Sequence, residues 1–186
     1  YFSNTLFIGN SITEGFKEFS GLDTPTYYEG RGMTVESIHR MKIVNADNSP
    51  NSDGTGEKTV MDALKDRQFD QIYLLMGANE LGWVYPNMFI EQYSQLIDDI
   101  KALQPNAKIC VQSILPVSAE RSETDEVYNN MIINMSVEKG IPYLNAAEAF
   151  KDDTGALPAD KTPDGIHLTA AACKEWRMYI KTHVMQ

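Results

Sequence analysis

Two stretches of this chain carry residues that could do chemistry together. The first is Leu6-Phe7-Ile8-Gly9-Asn10-Ser11-Ile12-Thr13-Glu14-Gly15, an apolar strand running into a small-residue turn with a serine at its apex. The second is Asp164-Gly165-Ile166-His167, a carboxylate and an imidazole three residues apart. A serine at a strand-to-helix turn projects its hydroxyl over the carboxyl edge of a sheet. An aspartate that accepts from imidazole Nδ1–H fixes the tautomer and leaves Nε2 free to take the hydroxyl proton. Ser11 is therefore the candidate nucleophile, with His167 as base and Asp164 as the group that orients it. Each piece also has a plain structural reading: Ser11 as a helix N-cap, Asp164 in an Asx-turn, His167 as a packing residue.

Two further stretches could complete such a site. Gly77-Ala78-Asn79-Glu80 ends an apolar strand, so the Asn79 side chain could offer an N–H to a developing oxyanion. Gly30-Arg31-Gly32-Met33-Thr34 follows a weaker strand, and Gly32 could leave its backbone N–H uncovered. The alternatives here are an asparagine in a tight turn and a glycine at a left-handed turn position. Leu81, Trp83 and Tyr85, just after Asn79, could line a substrate pocket with Asn10, or serve only to pack the start of a helix. Arg31, beside Gly32, could meet an anionic group, but reads first as a solvated surface charge.

The elements that must position these residues alternate along the chain. Short two-sided apolar runs at 5–8, 71–76 and 108–113 predict strands of a covered parallel sheet, with weaker candidates at 25–28 and 141–145. Helical spacing predicts helices over 87–103, 125–139 and 170–183, the last capped by Thr169. Glu120, Glu123, Asp125 and Glu126 read as acidic residues complementing a helix N-terminus. The expected fold class is α/β: a flavodoxin-like three-layer α/β/α sandwich with about five parallel strands, in one domain over 1–186. In such sheets, sites form beyond the carboxyl ends of the strands, where all four candidate stretches fall. The polar stretch 45–57 reads as a mobile surface excursion between two short helical pieces.

The four stretches together resemble the SGNH hydrolases, the GDSL-type esterase and lipase family, from Thr5 to about His183. The family's Gly-Asp-Ser block stands here as Gly9-Asn10-Ser11, its glycine block as Gly32-Met33-Thr34, and its Gly-x-Asn-Asp block as Gly77-Ala78-Asn79-Glu80. The closing Asp-x-x-His is matched in full by Asp164 and His167. The resemblance implies a serine esterase with the triad Ser11, His167 and Asp164, and an oxyanion hole of Ser11 N–H, Gly32 N–H and the Asn79 side chain. It implies no metal or other cofactor and a small-molecule or carbohydrate ester as substrate; the lack of an extended apolar lid segment in the sequence favours short acyl groups such as O-acetyl over long lipids. Related chains with a similar Tyr-Phe-x-x-x-Leu-Phe-Ile-Gly opening look like exported cell-envelope proteins, so an extracellular or cell-envelope location is the expectation, with a cytoplasmic one as the alternative. The G-x-S-x-G elbow of α/β-hydrolases is absent. The competing readings are a flavodoxin-like phosphate binder and a carbohydrate-binding relative without hydrolytic activity.

Bulk composition excludes several other classes. With 16 Lys and Arg against 26 Asp and Glu, the formal charge is −10, which argues against nucleic acid or an anionic membrane surface as partner. No apolar run reaches the ~18 residues a membrane span requires. The chain opens almost directly on a strand, as in a mature or trimmed form. Cys110 and Cys173, the only two cysteines, sit in apolar or alanine-rich segments and read as packed side chains, and no zinc-ligand spacing appears. Oligomeric state leaves no mark in the sequence.

Overall fold

The structure, a computed structural model, describes residues 1–119 and 122–185, without the side chains of Ser122 and Glu123. Five strands form one sheet: β1 (Thr5–Gly9), β2 (Thr26–Glu29), β3 (Gln71–Leu75), β4 (Lys108–Gln112) and β5 (Tyr143–Leu144). All neighbouring pairs are parallel, in the order β2-β1-β3-β4-β5. Among the described residues, four α-helices lie between the strands, α1 (Ser11–Phe19), α2 (Val60–Asp66), α3 (Pro86–Leu103) and α4 (Ser122–Lys139), and α5 (Ala170–Thr182) follows the last of them.

The alternation of a pleated strand sorts the core into two layers. Leu6, Ile8, Ile72, Leu74, Ile109 and Val111 face one side, where α2, α3 and α4 supply Leu64, Phe89, Tyr93 and Ile132. Phe7, Tyr73, Leu75 and Cys110 face the other, against Ile12 and Phe16 of α1 and Trp176 and Ile180 of α5. The three-layer α/β/α sandwich is the architecture expected from the sequence. On the second face α1 and α5 meet through Phe16 and Trp176, whose ring centroids are 4.5 Å apart. The buried Trp176 Nε1–H donates to Gln112 Oε1 at 3.1 Å, which satisfies the indole while anchoring α5 to β4.

Strand order runs outward in both directions from the β1–β3 pair. The connection β1-α1-β2 goes one way and the following connections go the other, so this is the switch point where parallel α/β sheets open a crevice. Ser11 lies just past the end of β1 and Asn79 just past the end of β3.

The observed strands follow the expected apolar runs closely, except at β5. Pro142 has no N–H to give the ladder, which leaves its carbonyl accepting from Val111 N–H at 3.1 Å, and only two residues are paired as strand. The stretch 45–57 is pinned to the body. Tyr28 Oη–H donates to the Asn48 carbonyl at 2.8 Å, Ser52 Oγ–H donates to buried Glu29, and Val44 bridges Pro50 and Lys58. Of the acidic residues at the start of α4, Glu120 and the side chain of Glu123 lie outside the described residues. Asp125 is buried rather than solvated, and desolvation pushes its carboxyl up to about 6 against backbone hydrogen bonds that favour the ion.

Candidate active site

Ser11 is the first residue of α1, one step past the N-cap Asn10. The turn is tight because nothing but hydrogen fits on Gly9: a Cβ there would lie 2.0 Å from Thr13 Oγ1 and 3.0 Å from the Leu75 carbonyl. Asn10 is fully buried, and its Oδ1 accepts from Ile12 N–H at 3.0 Å. Asn10 therefore caps the helix and takes no place on a pocket wall, and the N-cap role that one reading gave to Ser11 belongs to its neighbour. Standing at the first helical position, Ser11 has no intrahelical acceptor for its own N–H.

His167 and Asp164 lie on the loop that leads into α5, whose N-cap is Thr169. The carboxylate of Asp164 divides its work. Oδ1 accepts from the backbone N–H groups of Ile166 at 2.9 Å and His167 at 2.8 Å, while Oδ2 meets His167 Nδ1 at 2.6 Å. The Asx-turn and the imidazole contact thus coexist in one side chain. An acceptor at Nδ1 places the ring proton there, so Nε2 is left with a lone pair toward Ser11 Oγ, 2.9 Å away. Partial desolvation raises the Asp164 carboxyl, but the His167 backbone N–H, its ring and the Ile166 N–H outweigh it and hold the carboxyl down at about 2. The Asp164 and His167 side chains remain 49% and 43% exposed, so the pair is open to solvent. The loop itself is held by Thr162 Oγ1, which accepts from Gly165 N–H at 2.8 Å, and by Ser118 N–H, which donates to the Gly165 carbonyl at 3.0 Å.

The two remaining stretches are tied to this edge by hydrogen bonds. Gly30 N–H donates to the Gly9 carbonyl at 3.1 Å, and Met33 N–H closes a turn on the Gly30 carbonyl, also at 3.1 Å. Gly32 occupies that turn with φ +70°, a left-handed position that favours glycine, and its N–H has no acceptor among the described residues. Asn79 Nδ2 donates to the Met33 carbonyl at 3.0 Å, which sets its amide beside the Gly32 turn. One N–H of the amide is used by that bond and the other is left over.

A cleft of about 500 Å³ opens over Ser11 and His167. Ile12, Phe19, Pro163, Leu168 and Cys173 supply its apolar lining, and Glu14, Glu18 and Arg31 line it as well. Arg31 grips Glu14 with Nε at 3.0 Å and Nη2 at 2.8 Å, and the guanidinium holds the Glu14 carboxyl below the usual carboxylate range. Arg31 is thus a largely exposed surface charge that also meets an anionic partner. Glu14 is one turn of α1 from Ser11, a spacing that could have suggested a charge beside the nucleophile, but its partner lies in another loop. Leu81, Trp83 and Tyr85 do not line this cleft. Leu81 and Trp83 are half-buried against the core, and Tyr85 is exposed at the start of α3. Among the described residues, no group of three or more His, Cys, Asp or Glu could hold a metal ion.

The profile of the GDSL-like lipase/acylhydrolase family matches residues 7–174. Among solved structures, the chain is similar to a GDSL-like lipase from Bacteroides thetaiotaomicron, with 19% identity, TM-score 0.71, and 97% of this chain and 87% of that one covered. It is also similar to an acetyl xylan esterase, with 15% identity, TM-score 0.67, and coverage of 97% and 99%. A carbohydrate esterase family 3 protein from Talaromyces cellulolyticus is similar at 14% identity, TM-score 0.66, and coverage of 96% and 94%. At these identities the likeness establishes the fold. A sequence search of curated proteins found no match.

Proposed function

The chain belongs to the GDSL-like lipase/acylhydrolase family and is a carboxylic ester hydrolase, and we propose that Ser11, His167 and Asp164 are the triad through which it works. The observation that carries this reading is the unbroken relay from Asp164 Oδ2 to His167 Nδ1 at 2.6 Å and from His167 Nε2 to Ser11 Oγ at 2.9 Å. His167 Nε2 takes the hydroxyl proton as Oγ adds to the ester carbonyl. The negative charge that forms on the carbonyl oxygen is received by the N–H groups of Ser11 and Gly32 and the unused N–H of Asn79. The protonated imidazole, steadied by the Asp164 carboxylate, then gives its proton to the departing alcohol. Water repeats the sequence on the acyl-enzyme, releasing the acid and restoring the serine.

The substrates are short-chain esters, and O-acetyl groups on carbohydrate are the first class to test. Charged Glu14, Glu18 and Arg31 line the cleft with Ser11, which suits a small acyl group better than a long apolar chain. The fold it shares with an acetyl xylan esterase and a carbohydrate esterase points to acetylated sugars as the alcohol side.

The test is turnover of p-nitrophenyl acetate and acetylated xylo-oligosaccharides, with labelling by a fluorophosphonate probe. Ser11→Ala is expected to abolish both turnover and labelling, and His167→Ala to lower kcat by several orders of magnitude. Turnover that survives Ser11→Ala overturns the triad. A parent protein that turns over no ester is the result that the flavodoxin-like and carbohydrate-binding alternatives require.

A further inference from the structure

Glu80 follows Asn79 directly and is wholly buried, an unusual position for a carboxylate beside an oxyanion donor. No cation pairs with it among the described residues. Its Oε2 instead accepts from the backbone N–H of Val35 at 3.2 Å, across 45 residues of sequence. The Val35 segment leads out of the turn that carries Gly32, and one residue before it the Met33–Thr34 peptide supplies the carbonyl that Asn79 Nδ2 grips at 3.0 Å. Two bonds therefore run in parallel between the same pair of loops, one from the Asn79 side chain and one from the Glu80 side chain. The Glu80 backbone is fixed as well: its N–H donates to the Gly77 carbonyl at 3.0 Å, and its carbonyl accepts from Tyr128 Oη–H at 2.7 Å and Trp83 N–H at 3.0 Å.

We infer that Glu80 is a positioning residue, whose buried carboxylate straps the Gly32–Val35 segment to the Asn79 loop and so sets the mutual placement of two oxyanion-hole donors. With the Asn79 loop fixed by the Glu80 backbone bonds, the Asn79–Met33 bond alone would hold the Gly32–Val35 segment to it at one point, and the second, parallel bond from Glu80 to Val35 fixes the segment's orientation against the loop. A donor misplaced by about 1 Å is expected to lower a rate ~10²-fold, which gives a strap of this kind catalytic weight without any contact to substrate. The family motif has aspartate at this position. Glu80, one methylene longer, spans to Val35 N–H here. This inference rests on the reading of Asn79 and Gly32 as oxyanion donors.

The experiment is a mutant cycle with p-nitrophenyl acetate, resolving kcat and KM for the folded proteins. Glu80→Ala is expected to lower kcat by about 10²-fold with KM within about threefold, the pattern of an interaction felt in the transition state. Glu80→Gln keeps an acceptor oxygen for Val35 N–H and is expected to recover most of that loss. In an Asn79→Ala background, Glu80→Ala is expected to cost at least tenfold less than in the parent, because the donor it helps to place has gone. Should Glu80→Ala fail to fold, Glu80→Asp, which keeps the charge on a shorter arm, carries the same cycle with an expected loss of about tenfold. A folded Glu80 variant (Ala, or Asp in the fallback) at parental kcat, a Gln variant no better than Ala, or equal losses in both backgrounds would overturn the strap. The Ser11→Ala control separates the two claims: turnover that survives it sinks the triad itself, whereas an inactive Ser11→Ala and an impaired Asn79→Ala beside a fully active Glu80→Ala sink only the strap.

Discussion

Replacing Glu80 by glutamine should stabilise the protein, and by an amount that grows with pH. Burial without a cationic partner raises the Glu80 carboxyl from 4.5 to about 7, and the hydrogen bonds from Val35, Glu80 and Asn79 only partly offset it. The sign follows from proton counting. Below about pH 4.5, folded and unfolded chains both hold the proton, and burial of the group carries no charge penalty. Between about 4.5 and 7 the unfolded chain gives up its proton while the folded chain keeps it, so stability falls as pH rises. Above about 7 both states are ionised and the penalty is constant. The gap of about 2.5 pH units corresponds to ~3 kcal/mol at its plateau, since each unit is worth ~1.4 kcal/mol. In a chain of this size each kcal/mol moves Tm by ~2–4 °C, so the advantage of Glu80→Gln should open by roughly 6–12 °C between pH 4.5 and 8. Thermal melts of both proteins by circular dichroism in matched buffers measure it. Asp125 and Asp164 titrate in both proteins and cancel from the difference, and any fixed effect of the amide appears equally at every pH. A Tm difference that stays flat from pH 4.5 to 8 would refute the buried carboxyl as a source of pH-dependent instability, as would one that shrinks with rising pH.

Other expectations rest on separate features. Asp164→Asn removes the acceptor that fixes the imidazole tautomer and should lower kcat by ~10³–10⁴-fold in ester turnover assays. Because Asp164 in the intact protein stays ionised down to about pH 2, its own titration should add no inflection to the parent kcat/KM profile at pH 4 and above, and a direct titration of the Asp164 carboxyl by NMR that finds it protonating above pH 4 would refute this. Gly9→Ala puts a methyl group 2.0 Å from Thr13 Oγ1 and 3.0 Å from the Leu75 carbonyl, so overpacking should cost ~1–3 kcal/mol in urea unfolding and depress turnover by shifting Ser11. Phe16→Ala empties the contact between the helix that carries the serine and the helix that follows the histidine. It should cost ~3–5 kcal/mol by the same measurement, with kcat reduced even where the protein stays folded.

The sheet was readable because its strands are short and apolar on both faces: Leu6-Phe7-Ile8 and Ile72-Tyr73-Leu74-Leu75 fill two layers whichever way each side chain points. The triad candidates were readable because Ser11 and the Asp164–His167 pair each combine a reactive residue type with turn chemistry that holds it. What escaped were interactions between loops distant in sequence. Nothing local to Arg31 signals Glu14, and nothing local to Glu80 signals Val35, because no periodicity links residues on separate strand ends. Leu81, Trp83 and Tyr85 looked like pocket residues through their nearness to Asn79, but the chain turns into α3 there and sends them to the core surface or to solvent. The stretch 45–57 looked loose because it is polar, yet its polar groups bond to one another and to Glu29.

Under the proposed triad, the histidine loop also sets the moment at which activity can begin. Serine and imidazole are 156 residues apart in the chain, and the segment bearing His167 is fastened by Ser118, by its own Thr162 turn and by the docking of α5. In a growing polypeptide the proposed nucleophile therefore appears long before its proposed base. Until α5 seats against α1, the proposed nucleophile stands without its base, so the proposed chemistry waits on completion of this fold.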